Sequence, residues 1–235
     1  MKAAAAIAGA TGASYLAGWA IGVPVLVPVF NALAGYPFMI APVLCRDLRL
    51  AIARMLVWAA CMGACATGLA FARADTTARL FVNAAAYERE MVAWVRTGDG
   101  RESRPREFLP QHALHATVFA GLSIASGSAL SMPMGAALMN YMGHYVGSLA
   151  VRGRSRWLLL AGWHPWAVIR ITSFVILGVV LSGPVLCAIG RTRWRWKGEA
   201  LRWIAIAVAG LVADVLLKSV AAGVWNRLLT RLTGW

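Results

Sequence analysis

Residues 171–190 read ITSFVILGVVLSGPVLCAIG, without a single charge, and the run Arg191-Thr192-Arg193-Trp194-Arg195-Trp196-Lys197 follows at once. A helix of about 20 apolar residues crosses a hydrocarbon core about 30 Å thick. An uncharged run of that length ending in a cationic cluster is the signature of a transmembrane helix and its anchor. The alternation recurs along the chain. Residues 3–45 carry no charge, and Arg46, Asp47 and Arg49 then precede an apolar run from Ile52 to Phe71, with Arg54 in its first turn, placed to snorkel. Residues 112–131 and 134–151 are again apolar and uncharged, and residues 201–223 form the last such stretch, broken only by Arg202, Asp214 and Lys218. The 235 residues are 60% hydrophobic, with 11 tryptophans and a mean hydropathy of +0.66.

These runs predict an all-α, polytopic transmembrane helical bundle of about six spans, with one or more re-entrant or broken helices. Residues 1–45 form an N-terminal membrane extension, one span near 8–30 followed by an irregular stretch through Tyr36-Pro37-Phe38. Pro24, Pro28, Asn31, Gly35 and Pro37 are the breakers that suggest it. Residues 46–235 form the helical core. The start, Met1-Lys2 followed by alanines, resembles a signal peptide, but its apolar run continues far past a normal signal core and reads as a retained span.

Within the core, residues 73–111 form the one substantial polar segment, with seven Arg and six Asp or Glu. Leu80, Phe81, Ala84, Tyr87, Met91 and Trp94 recur at spacings of three and four, so an amphipathic helix is expected from about Thr77 to Val95, covered by lipid or protein. Thr97-Gly98-Asp99-Gly100 ends it, and the run to Arg106 reads as an exposed loop. A tight hairpin joins 112–131 to 134–151 through Ser131, Pro133 and Gly135. Gly121, Ser123 and Gly127 give its first arm a small-residue face for close helix approach. Residues 157–190 read as a short half-helix followed by a full span at about 170–190.

The net charge of +14 does not mark a nucleic-acid binder. The charges sit at span ends, as in Arg152, Arg154 and Arg156, where they set topology and attract anionic lipid headgroups. We place 152–156 and 191–197 in the cytoplasm, which requires residues 157–190 to leave on the side they enter or to cross twice.

Polar residues inside apolar runs are the candidate functional residues, because ionisable groups in a membrane face the interior and pair. Arg170 and Asp214 are the most costly of them, and an Arg170–Asp214 or a Lys218–Asp214 contact is expected. Lys218 lies four residues after Asp214, acid before base, a spacing that favours a pair along one helix face. His112, His164 and Asn140 complete the set. Met134, Met139, Met142 and His144 form a methionine-dense patch whose thioethers suit a soft metal such as Cu(I), or simple apolar packing. The HExxH zinc motif, a serine nucleophile elbow and a P-loop are missing from the sequence. We therefore expect neither catalytic residues nor a cofactor.

From about Arg46 to Ala222, the order of parts resembles the stage II sporulation protein M family of bacterial integral membrane proteins. The landmarks are Arg46-Asp47-Leu48-Arg49 before a span, the charged connector from Ala74 to Glu107, and Phe108-Leu109-Pro110-Gln111-His112 opening a small-residue-rich span. Met139-Asn140-Tyr141-Met142-Gly143 and Gly162-Trp163-His164-Pro165-Trp166 follow, with Asp214 as a late acidic residue. Ala113 stands where the family often has Asn, Tyr141 interrupts its Asn-Gly, and Val168 stands in place of its Glu. The resemblance implies a non-catalytic membrane subunit working with partner proteins.

The leading expectation is thus a scaffold or assembly factor of a bacterial inner-membrane complex in secretion, conjugation or cell-envelope remodelling. Its partners would be other membrane subunits, and anionic lipids at the Arg-rich loops, with no nucleic acid. A small transporter or channel for an ion or small solute, copper included, is the alternative, and a membrane-embedded enzyme the third.

Overall fold

The structure, a computed structural model, describes residues 2–153 and 155–235; Met1 and Arg154 of the 152–156 cluster lie outside the described residues. The described chain is helical throughout. Its helices are α1 (Lys2–Ile21), α2 (Leu26–Leu44), α3 (Leu48–Ala72), α4 (Ala74–Leu80), α5 (Ala84–Thr97), α6 (Pro105–Ser126), α7 (Ser131–Arg152), α8 (Leu158–Ala161), α9 (Pro165–Ile189) and α10 (Glu199–Thr233). A single 3-10 turn, Arg101–Ser103, separates α5 from α6. Five helices, α1, α2, α3, α9 and α10, are long and apolar enough to cross a membrane.

Neighbouring residues fix the directions of the helices. Gly63 lies beside Met139, Gly143 against Ala66 and Thr67, and Gly147 against Thr67, Ala70 and Phe71. Residue numbers rise together, so α3 and α7 run parallel. Gly210 sits on Ser173 and Asp214 beside Arg170, so α9 and α10 run antiparallel. At one end of the bundle Arg46 Nη2 donates to the Arg193 carbonyl at 3.1 Å and Arg49 pairs with Glu199 at 3.1 Å. At the other, Arg152 meets Glu88 of the connector at 2.8 Å. The Trp225 indole donates to the Ala161 carbonyl there at 2.9 Å. Arg152 and Arg156 therefore lie at the opposite end from 191–197, because α9 runs unbroken from Pro165 to Ile189. That corrects their placement on one side.

The first 45 residues also differ from the expectation. They form two full helices joined at Gly22 (φ 71°) and Pro24, with no irregular stretch through Tyr36-Pro37-Phe38. Pro37 and Pro42 lie inside α2, each removing one helix hydrogen bond. Packing compensates: Gly35 admits the Trp58 indole, which donates to the Asn31 carbonyl at 3.1 Å. At the start of α3, the Asp47 carboxylate caps the helix by accepting from the Leu50 N–H at 2.9 Å. The α6–α7 hairpin turns earlier than predicted, at Gly127 (φ 60°) and Ser128 (φ 69°), and Pro133 falls in the first turn of α7, where proline is tolerated. Residues 157–190 match a short helix followed by a full one, although α9 begins at Pro165.

The connector is not one helix from Thr77 to Val95. It breaks at Phe81–Asn83, where Asn83 has φ 63°, into the helical hairpin α4–α5. The hairpin tip reaches inward, with the Phe81 ring 6.0 Å from that of Tyr15 in the middle of α1. Phe81, Met91 and Trp94 are all buried, as the periodicity predicted.

The closest helix contact is α3 on α7, and it runs through Gly143 and Gly147. A Cβ at Gly147 would stand 2.5 Å from the Thr67 carbonyl oxygen and 2.7 Å from the Phe71 nitrogen. The small-residue face expected on α6 is only partly used. Ser123 is buried and Gly127 meets Val185, while a Cβ at Gly121 would meet nothing within 4 Å.

Candidate functional site

A cavity of about 180 Å³ lies within the bundle, lined by α2, α3, α5, α6, α7 and α9 and by Lys218 of α10. An engineered apolar cavity of about 150 Å³ already admits benzene. The mouth reaches the surface at Asn83, Arg101 and Gln111, and the Arg101 guanidinium donates to Gln111 Oε1 at 3.4 Å. Below the mouth stand Glu102, His112, Arg170 and Lys218, with Tyr87 and Tyr141. Deeper still the wall is apolar, with Met39, Met55, Trp58, Phe119, Met132, Met139 and Phe174.

Arg170 is the centre of the polar part. Its Nε lies 3.4 Å from Asp214 Oδ2, and its Nη1 donates to His112 Nε2 at 2.6 Å. Arginine offers no acceptor, so His112 Nε2 must accept and its proton sits on Nδ1. That Nδ1 faces Asp214 Oδ2 at 3.7 Å, too far for a hydrogen bond, and Nδ1 and Asp214 Oδ1 remain without partners. Three side chains from α9, α10 and α6 thus form one closed triangle. The expected Arg170–Asp214 pair is present. Asp214 is enclosed by this chain, its side chain 2% exposed, whereas Arg170 is 24% exposed on the cavity wall.

Lys218 does not pair with Asp214 as the four-residue spacing suggested. Its Nζ donates to Glu102 Oε1 at 2.8 Å and lies 4.2 Å from the Phe108 ring centroid. Glu102 belongs to the segment read as an exposed loop, yet its side chain is only 14% exposed. Burial pushes its carboxyl upward, but the neighbouring cations, Lys218 foremost, more than offset this and hold it below the usual carboxylate range. A lone acid in a polar run carries no periodic signal, so nothing in the sequence singled it out. Tyr87, Tyr141, Met39 and Met55 were likewise missed as wall residues.

The remaining candidates fall elsewhere. Asn140 sits in a polar chain that ties α1, α2 and α7 together. It accepts from the Tyr15 hydroxyl at 2.5 Å and donates to Asn31 Oδ1 at 2.9 Å, and Asn31 donates to Ser14 at 2.8 Å. His164 begins α9, buried and stacked on Trp166 at 4.8 Å between ring centroids. The methionine patch splits. Met139 and Met142 line the cavity, Met134 packs beside the core, and His144 points away to Thr77 and Glu88. A helix rotates 100° per residue, so neighbours in sequence need not share a face.

His144 anchors a second polar cluster. Its Nε2 lies 3.0 Å from Glu88 Oε2 and its Nδ1 2.8 Å from the Thr77 hydroxyl. Glu88 also accepts from Arg152 at 2.9 Å. The His144 hydrogen bond first, and then Arg152, hold the Glu88 carboxyl below its ordinary value against an opposing effect of burial. This cluster locks both arms of the α4–α5 hairpin onto α7. No group of three or more His, Cys, Asp or Glu side chains among the described residues is placed to hold a metal ion. Compared with known proteins, the chain matches no family model, no curated protein and no solved structure.

Proposed function

We propose that this chain is a multi-pass membrane protein that holds a small solute inside its bundle, in the manner of a carrier or channel. One observation carries the reading: the intramembrane cavity whose outer part bears Arg170, Lys218 and Glu102 and whose inner part is apolar. Ionisable groups are costly in a bilayer and mark binding or transport paths when they line a cavity. In this reading α6 and α7 cross together with the five long apolar helices, and the α4–α5 hairpin dips in from one side. The membrane is a bacterial inner membrane, with anionic lipid at its arginine-rich rims.

A second reading keeps the chain as a non-catalytic subunit of a larger complex, the role the family resemblance implies. The observation favouring it is an uncovered row on α10. Val212, Leu216, Val220, Val224 and Leu228 repeat every four residues, and Val220 is 82% exposed. Such a row suits lipid or a partner helix.

Gly135 separates the two readings. It lines the cavity, and a Cβ there would meet only Phe119, at 3.5 Å. A tryptophan at 135 therefore grows into the cavity. Native mass spectrometry of the protein released from its own membrane should show the wild type carrying a small molecule that Gly135→Trp loses. Stoichiometric protein partners, with no small molecule in either form, would support the subunit reading and sink the carrier.

A further inference from the structure

The charges on the cavity wall do not balance. Arg101, Arg170 and Lys218 line it, against Glu90 and Glu102. Lys218 is neutralised by Glu102 at 2.8 Å, and Arg101 by Glu90 at 3.4 Å. Arg170 is different. Its carboxylate, Asp214, is not part of the cavity lining, and it grips the guanidinium from behind. The cavity therefore meets the outer edge of a paired guanidinium, whose Nη2 makes no hydrogen bond among the described residues. That cation is held in place through Nε by Asp214 and through Nη1 by His112. A fixed guanidinium is the group best shaped to receive a carboxylate or a phosphate.

Beyond this cation the wall changes character. Five methionines, Met39, Met55, Met132, Met139 and Met142, come from α2, α3 and α7. Methionine is flexible and polarizable, and walls rich in it adapt to varied apolar shapes. From Met142 to Met132 the wall follows α7 for about 15 Å. That is about half of a 30 Å hydrocarbon core, the depth of one leaflet.

We infer that the cavity takes a single-chain amphiphile with an anionic headgroup, carboxylate or phosphate, the head on Arg170 and the chain along α7. This names the solute class of the carrier reading and rests on it. Thioethers also suit Cu(I), but the Arg170 guanidinium offers a metal no lone pair, and His144 is turned away to Glu88.

The test is saturation binding of radiolabelled octanoate, a chain short enough for the cavity of about 180 Å³, to the full chain in nanodiscs of zwitterionic lipid. Binding should saturate at a single site. Octyl phosphate should displace the label, and octanol and octylammonium should not. Because Arg170→Gln alone strands Asp214, the headgroup variant is the double replacement Arg170→Gln with Asp214→Asn, its fold checked by detergent sizing. Affinity should fall about tenfold or more, the weight of a charge-assisted pair. Adding an anionic lysophospholipid, which carries one chain, to the nanodisc identifies the natural source. Competition points to a bilayer lipid and no competition to a free acid, and either supports the inference.

Equal displacement by octanol or octylammonium overturns it, as does wild-type affinity in the double variant. So does single-site Cu(I) binding that Gly135→Trp abolishes. If no alkyl probe saturates while Gly135→Trp still strips a retained solute, the amphiphile assignment fails and the carrier reading stands. If Gly135→Trp leaves the retained solute in place, the carrier reading itself fails.

Discussion

Replacing Asp214 by Ala strands the Arg170 guanidinium. At the observed 3.4 Å, two unit charges in an effective dielectric of about 20 attract by about 5 kcal/mol. Desolvation offsets part of that in the intact pair. Losing one partner of a buried pair nevertheless costs about 3–5 kcal/mol, because the remaining charge is buried uncompensated. His112 softens the loss only slightly, since its Nε2 already accepts from Arg170 Nη1 and a neutral imidazole supplies no charge. A loss of that size is a large fraction of a marginal fold's stability of about 5–15 kcal/mol. Asp214→Ala should therefore lower the amount of folded protein in the membrane and shift its unfolding in mixed detergent–SDS micelles to lower SDS. Adding Arg170→Ala should recover much of the loss, giving a coupling energy of at least about 1.5 kcal/mol in a double-mutant cycle. Simple additivity of the two single losses would refute the pairing.

Further outcomes follow from the packing and the second polar cluster. Gly147→Leu should disrupt the α3–α7 contact, because its Cβ alone would meet backbone atoms of α3 at 2.5 and 2.7 Å, whereas Gly121→Leu, with nothing within 4 Å, should elute and unfold as the wild type does. Detergent sizing with SDS titration checks both. Glu88 titrates below its ordinary 4.5 when folded, so its stabilisation is present above about 4.5 and disappears as pH falls through the lower folded value. Glu88→Gln should accordingly be less stable than wild type at pH 7, with the difference vanishing in acid; a pH-independent difference would contradict the ion-pair account. Lys218→Met should release the Arg101–Ser103 turn, because Glu102 loses its partner at 2.8 Å. Faster amide hydrogen exchange across residues 98–104 would report it.

The long apolar runs were legible because lipid imposes one simple demand, an uncharged helix of fixed length. The Arg170–Asp214 pair was legible for a related reason, since a membrane interior forces charges together. Pro37 misled, because tertiary packing around Gly35 and Trp58 sustains a helix that local rules would end. Gly143 and Gly147 form a G-x-x-x-G pattern, a readable sign of close helix approach, but the glycines and serines of α6 present a denser small-residue stretch that competes with it. The cavity was not legible. Its methionines come from α2, α3 and α7, and only the α7 members are neighbours in sequence. Glu102 lay hidden for the same reason, since its partner is 116 residues away.

Under the proposed function, the cavity holds an elongated solute in the membrane, with its polar end on Arg170. A density map of the protein in native-lipid nanodiscs, with a bound antibody fragment for alignment, tests this most directly. The account predicts a continuous rod of density from the Arg170 guanidinium along α7 toward Met132, absent in Gly135→Trp. A cavity closed by its own methionine side chains, with no density beside Arg170, would contradict it.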